Sequence, residues 1–349
     1  MRIIKKGYSL LAALCLVLTA PQVGAQETTG GHDGQQTWQP GQGWRIGDTG
    51  LTLGGYTSLQ YQDLQNSNSR LALSHLSMFV WWESQSGLRI FSEIDNESQL
   101  SADTQSVDAD GSFLSVERLY GEYAFNDALG FRLGKFLTPI GYWNQIHADP
   151  LVWTTSRPLE SVALFPDHTS GAMVFGGTDV LGKRLDYRAY TSIGTDVRKD
   201  PAEKPFNEAF GVQVTLEDVS HWRIGLSAAS FDEITNTEEH ETLIGADFLW
   251  HSGGFEVSGE GVYRHSSLGS MRDGNGAFVQ GVMPIAGKLY AVARLEHLRD
   301  PDLQQPVRLS VFGLNYRLDR AVSFKLETIR GVNQSISAPG WLASASMLF

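Results

Sequence analysis

The chain has 349 residues, 42% of them apolar, with a formal charge of −12 at pH 7 and one cysteine, Cys15. That acidity disfavours binding nucleic acid or anionic lipid through a broad basic patch, and a lone cysteine excludes a disulfide scaffold or a thiolate metal site. Beyond the first 25 residues no run approaches the roughly twenty apolar residues that a membrane-spanning helix needs.

The first segment reads as a leader. Met1-Arg-Ile-Ile-Lys-Lys6 is basic, residues 7–20 are apolar but too short to span, and Val23-Gly-Ala25 is a small-residue cleavage site. A signal peptide over residues 1–25 is therefore expected. Its loss removes Arg2, Lys5 and Lys6 and takes the formal charge from −12 to −15. Residues 26–45, rich in Gly and Gln, read as a flexible periplasmic lead-in, whose His32-Asp33 pair makes no metal site.

From residue 46 to Phe349 apolar and polar residues alternate in sixteen segments, from 51–62 and 71–82 through 131–139, 243–250 and 307–318 to 341–349. Each is near the nine to eleven residues, roughly, of a tilted transmembrane strand. The segment that ends on Phe349 places Trp341, Ala343, Ala345, Met347 and Phe349 on one parity, as the last strand of an outer-membrane barrel does. The expectation is an all-β, transmembrane antiparallel barrel of 16 strands.

The connections alternate in length. Short ones fall at 83–87, 126–130, 181–184, 217–221, 251–254, 284–288 and 319–321; longer polar ones include 101–112, 194–207, 232–242, 265–276, 297–306 and 330–340. Loops on one side and turns on the other imply that both termini are periplasmic. Trp82, Phe125, Phe131, Trp222, Trp250, Phe255 and Phe349 then lie at periplasmic strand ends, where amphipathic rings form a girdle.

The third long connection, residues 140–171, carries Tyr142, Trp143, Asp149, Trp153, Arg157, Glu160 and Asp167. It is too aromatic and too punctuated by proline to read as disorder, and its length marks it as functional. A charge facing lipid near the bilayer midplane costs about 2–4 kcal/mol, so parity assigns charged strand residues to a wet lumen. These are Arg89, Glu93, Asp95 and Glu97; Arg118, Glu122 and Arg132; Arg184, Asp186 and Arg188; Arg223, Asp247, Glu256, Glu260 and Arg264; and Arg294, Glu296, Arg308, Lys325 and Glu327.

Val116-Glu-Arg-Leu-Tyr-Gly-Glu-Tyr123, followed by a tight turn and Phe131-Arg-Leu-Gly-Lys-Phe-Leu-Thr-Pro-Ile-Gly141, resembles the strand–turn–strand signature of the phosphate-selective porin O and P family. The resemblance covers about thirty residues. It implies sixteen strands, a homotrimer, cationic side chains in the pore, and a third extracellular loop folded into the lumen as a constriction. The chain departs from that pattern where selectivity is set, because the third loop offers Arg157 and no lysine. Phosphate capture needs several converging cationic donors. About equal numbers of lumen acids and cations instead point to a passive diffusion channel for small hydrophilic solutes or ions, with weak or mildly cationic selectivity. Opposed charged walls and local cross-strand pairing are the two arrangements open to those charges.

No cofactor, metal or nucleic-acid partner is expected; outer-membrane lipid and lipopolysaccharide are. Asp108-Ala-Asp-Gly-Ser112 and Asp273-Gly-Asn-Gly276 are only fragments of a calcium loop. Of the nine histidines only His75 is mid-strand, and Ser77 shares its parity without a third member, so the chain is read as non-enzymatic. The alternatives are an anion- or phosphate-selective porin, or a closed barrel with an adhesive or envelope-structural role.

Overall fold

The computed structural model describes residues 37–103, 107–108, 112–146, 148–193, 196, 204–332 and 337–349. The expected leader and His32-Asp33 lie outside the described residues. Sixteen long strands form the sheet: β1 (Leu51–Leu64), β2 (Arg70–Glu83), β3 (Leu88–Ala102), β4 (Phe113–Asn126), β5 (Leu129–Leu137), β6 (His168–Val180), β7 (Lys183–Ser192), β8 (Phe206–Asp218), β9 (Trp222–Glu233), β10 (Asn236–Ser252), β11 (Phe255–Ser266), β12 (Gly274–Ala286), β13 (Leu289–Arg299), β14 (Val307–Arg317), β15 (Val322–Val332) and β16 (Gly340–Leu348). Each pairs antiparallel with its neighbour in sequence, and β16 pairs with β1 from Gly340↔Leu64 to Leu348↔Tyr56. The sheet is closed, so no strand edge is left to present unpaired backbone to lipid.

The alternating segments of the sequence fall within these strands, apart from single residues or pairs at the ends of β5, β7, β14 and β16. One expected connection differs. Residues 232–242 are not a long loop; β9 runs to Glu233, β10 starts at Asn236, and two residues turn between them. Asn236-Thr-Glu-Glu-His-Glu-Thr242 is polar on both parities, so apolar alternation has nothing to report there although the backbone ladder continues.

Closure rests on a close contact. The Phe349 N–H donates to the Gly55 carbonyl at 2.9 Å and the Gly55 N–H to the Phe349 carbonyl at 3.0 Å. A Cβ on Gly55 would stand 2.0 Å from the Ser77 carbonyl oxygen and 2.9 Å from the Phe349 ring. Only glycine lets the last ring lie flat on β1. The end of the expected lead-in also joins the sheet: Thr37–Gln39 pairs with Gly43–Ile46, and Gly43–Ile46 with the start of β1.

The two faces of the sheet differ. Leu226, Ile244, Phe248, Leu295, Phe312, Leu314 and Leu326 are exposed on one, with Phe125, Phe131, Trp250 and Phe255 near the short turns. On the other face most charged residues are buried. Toward the long connections that inner face is apolar as well, where Phe206, Phe231, Leu243, Leu298, Leu309 and Ile329 pack with Ile140, Leu159, Leu164 and Phe165 of the third long connection.

Replacing Gly55 by Leu should cost on the order of 1–3 kcal/mol by overpacking. The expected outcome is a lower temperature for the shift from compact to unfolded mobility in detergent electrophoresis; an unchanged transition would mean that the Phe349 contact does not hold the seam.

Candidate functional site

The third long connection is tied to the inner face from β8 round to β16. It begins at Gly141, whose φ is +65° and where a Cβ would lie 2.0 Å from Glu260 Oε2. That approach lets the Tyr142 N–H donate to Glu260 Oε1 at 2.7 Å, and the Trp143 N–H to the same oxygen. Gln213 Nε2 donates to the Gly141 carbonyl at 2.8 Å. Asn144 Nδ2 donates to the Thr138 and Asp167 carbonyls at 2.9 and 3.0 Å, drawing the two ends of the connection together.

Beyond that pin the chain meets β11 and β13 to β16, the last through Thr155 Oγ1 and Ser344 Oγ at 2.8 Å. Trp153 Nε1 donates to Glu256 at 2.8 Å, and Arg317 stacks on the Trp153 ring with Cζ 3.5 Å from its centroid. Lys325 Nζ donates to the Asp149 carbonyl at 2.5 Å, and the Thr155 and Ser156 N–H groups donate to Glu327 at 2.9 and 2.8 Å. Arg294 reaches Thr154 Oγ1 at 2.5 Å and Ser156 Oγ at 2.8 Å. A short helix, α1 (Leu159–Ala163), starts with its Leu159 N–H on Glu296 at 2.8 Å. Four inner-face acids, Glu256, Glu260, Glu296 and Glu327, thus accept hydrogen bonds from this connection.

On β2 to β10 the pattern is different. Arg118 pairs with Glu93, Arg132 with Glu122 at 2.6 Å, Arg89 with Glu83 at 2.9 Å, Arg184 with Asp186 at 2.9 Å, and Arg223 with Asp247. Arg188 donates to Gln213 at 2.6 Å, and His75 Nδ1 to Asp95 at 2.7 Å. Several guanidinium groups lie over aromatic rings: Arg118 Cζ is 4.6 Å from the Phe91 centroid, Arg132 4.1 Å from Tyr120, and Arg223 5.0 Å from Tyr142. Three of the pairs, Arg118–Glu93, Arg132–Glu122 and Arg223–Asp247, are graded in depth, with the acid below the base. The Glu93 side chain is 0% exposed and its partner Arg118 21%, while Glu122 is 9% and Arg132 23% exposed. Of the two arrangements left open by the sequence, these charges take the local one, each acid paired with a base on its own or an adjacent strand.

Arg308 is not on the inner face. It shares the parity of exposed Phe312, Leu314 and Tyr316, whereas Val307, Leu309 and Val311 turn inward and are buried. The rule that the apolar parity faces out fails in this stretch because both parities are apolar, the inner one to seat the third long connection. The Glu97 side chain and most of Asp108–Ser112 lie outside the described residues. Asp273 accepts from the Tyr263 hydroxyl at 2.7 Å, His265 Nδ1 at 2.9 Å and the Ser266 N–H at 3.1 Å.

Two acids of the connection are shifted in opposite directions. Burial pushes the Asp149 carboxyl up, but the positive charges of His75, Lys325 and Arg157 help bring it below its ordinary value. Glu160 is raised well above its ordinary value by burial and by the neighbouring charges of Glu260 and Glu296. Neither Glu160 carboxyl oxygen has a hydrogen-bond partner among the described residues.

Among solved structures, a loop-deletion mutant of the Vibrio cholerae outer membrane protein OmpT is similar with a TM-score of 0.61 at 11% identity, covering 86% of this chain and 99% of that one. Salmonella typhi OmpF gives 0.60 at 7% identity over 90% and 99%, and an anion-selective porin from Comamonas acidovorans gives 0.56 at 13% over 86% and 99%. The fold is that of outer-membrane porins. No family model matches the chain. An uncharacterized protein of Aquifex aeolicus is 30% identical over 149 residues, which are 42% of this chain and 32% of that protein. The match therefore spans about a third of that relative's length.

Because the Glu160 value is raised, seating of α1 is most favourable below the ordinary carboxylate range, weakens as pH rises above it, and loses the whole contribution once pH passes the raised value. Amide exchange in residues 141–165 should accelerate with pH beyond the intrinsic chemical rate, and Glu160→Gln should abolish that excess. An equal excess in both proteins would remove Glu160 from the seat.

Proposed function

We propose that this protein is an outer-membrane porin, a water-filled channel for passive diffusion of small polar solutes and ions. On this reading the leader at residues 1–25 exports it and the short turns face the periplasm. The observation that carries the proposal is a closed barrel of sixteen strands whose inner face bears ion pairs beside the apolar seat of the third long connection. Sixteen strands leave a lumen too wide for side chains to fill. Hydrogen bonds between residues 141–159 and β8, β11 and β13–β15 support that connection as the constriction loop, lying on one wall and leaving the passage along β3–β7.

The distribution of exposure refines the selectivity. Counted along the sequence, acids and cations balance and favour a weakly or mildly cationic channel. Exposure separates them over much of the wall, since Glu93, Glu122 and Asp247 lie beneath their arginines and Glu260 and Glu327 are bound by the loop. A solute in the passage meets Arg118, Arg132 and Arg188 first, which favours weak anion preference, the alternative that the family resemblance carried. Each of these arginines is already hydrogen-bonded to a carboxylate or an amide. They guide anions without replacing a phosphate hydration shell, so phosphate at modest excess is expected not to block chloride current.

OmpT of Vibrio cholerae was solved in a trimer form, which supports a homotrimer here. Exposed Arg299, Arg308 and Arg330, on adjacent strands next to exposed Leu295 and Phe312, suit contact with lipopolysaccharide phosphates.

Planar-bilayer recording tests the reading. Open channels are expected, with a reversal potential in a salt gradient that leans to anions and shifts toward cations in Arg118→Gln/Arg132→Gln. Deleting residues 153–165 should raise the single-channel conductance. A folded barrel without conductance would leave only the closed-barrel reading, and an unshifted reversal potential would remove the arginines from the ion path.

A further inference from the structure

On the outer face, at the end of the long connections, three side chains that the channel does not use are hydrogen-bonded in series. Ser230 Oγ is 2.7 Å from His240 Nε2, and His240 Nδ1 is 2.7 Å from Asp232 Oδ1. A carboxylate only accepts, so Nδ1 carries the proton and Nε2 is left to accept from the Ser230 hydroxyl. That polarity is the one by which an acid orients an imidazole and the imidazole activates a serine.

The fold builds this arrangement from a tight hairpin. Ser230 and Asp232 are two residues apart on β9 and share a face. The turn at Ile234 and Thr235 brings β10 back alongside, with Ser230 opposite Thr242, so that His240 lies diagonally across from Ser230. The His240 backbone is held on both sides, its N–H donating to Ser267 Oγ at 2.9 Å and its carbonyl accepting from the Ser267 N–H at 2.8 Å.

The surroundings indicate a substrate. A cavity of about 700 Å³ opens onto the three residues and is also lined by Asn207, Phe210 and Ile234. Phe210, directly opposite Ser230 on β8, is 60% exposed; Leu226 and Ile244, lower on the same face, are 68% and 59% exposed. Ser230 therefore stands at the upper margin of the apolar surface. An acyl ester of a membrane lipid has that geometry, with chains in the apolar band and the ester carbonyl at its margin.

We propose that Ser230, His240 and Asp232 form an esterase site for the acyl esters of membrane lipid. Ser230 Oγ attacks the ester carbonyl carbon as its proton passes to His240 Nε2. The tetrahedral intermediate expels the lipid alkoxide, which takes that proton, and leaves an acyl group on Ser230. Water then attacks the acyl carbon, giving its proton to His240, and the acyl–oxygen bond to Ser230 breaks. Ser230 regains a proton and the fatty acid departs. Asn207, left out of the β8–β9 pairing by a bulge, is the candidate donor to the oxyanion. The proposal rests on the outer face meeting lipid and is independent of conductance.

The test uses the full-length protein in detergent and in phosphatidylethanolamine vesicles. A fluorophosphonate probe should label the peptide containing Ser230, identified by mass spectrometry, and the vesicles should release fatty acid. Ser230→Ala should abolish both signals, and Asp232→Asn should slow both roughly a hundredfold or more. Channel conductance and electrophoretic compactness should be unchanged in Ser230→Ala, since that residue lies outside the lumen. An unlabelled Ser230, or fatty-acid release equal in wild type and Ser230→Ala, overturns the proposal. Absent conductance in an active esterase would count against the porin reading alone.

Discussion

Every backbone donor and acceptor in a lipid-facing sheet must find its partner within the sheet, because hydrocarbon supplies none. Antiparallel pairing from β1 to β16, with β16 returning to β1, meets that condition in this chain. The seam is the demanding place, and there the chain uses a glycine against its final aromatic ring, so that Gly55 and Phe349 exchange both backbone hydrogen bonds. The N-terminal hairpin at Thr37–Ile46 then pairs beside the same region of β1.

Closure forces charge inward, and the inner face accommodates it in two ways. Along β11–β15, carboxylates accept from main-chain N–H groups of the third long connection, so a loop with few charges of its own neutralises a wall of them. Along β3–β5, Glu93 and Glu122 lie beneath Arg118 and Arg132, which in turn lie over aromatic rings. Buried ion pairs of this sort repay their desolvation only with good geometry, and stacking on Phe91 and Tyr120 supplies part of it. The two halves of the wall thus carry similar residues and present different surfaces to water.

Arg308 and residues 232–242 mark where pattern reading stopped working. Both assignments depended on one apolar and one polar parity per strand. In β14 both parities are apolar, since Leu309 and Val311 seat the loop within while Phe312 and Leu314 face outward. In the upper part of β10 both are polar, because Glu239 and Glu241 face their partners within the barrel and His240 reaches Asp232 outside it. His240 lies in that same silent stretch, so the sequence pattern does not mark it as a strand residue beside Ser230 and Asp232 of β9.

By itself the sequence determined the class of fold, the strand count and the identity of the third connection as exceptional, because alternation, turn chemistry and connection length are local properties written at fixed spacing. It also gave a parity argument for which charged strand residues face inward, since a charge facing lipid near the midplane is costly. Which of those charges remain accessible was decided by tertiary structure, through residues more than a hundred positions apart such as Tyr142 and Glu260 or Ser156 and Glu327. The outer-face hydrogen-bond series was likewise decided there. Its members are close in sequence, but only strand pairing and register set the serine and acid on one strand against the histidine of the next.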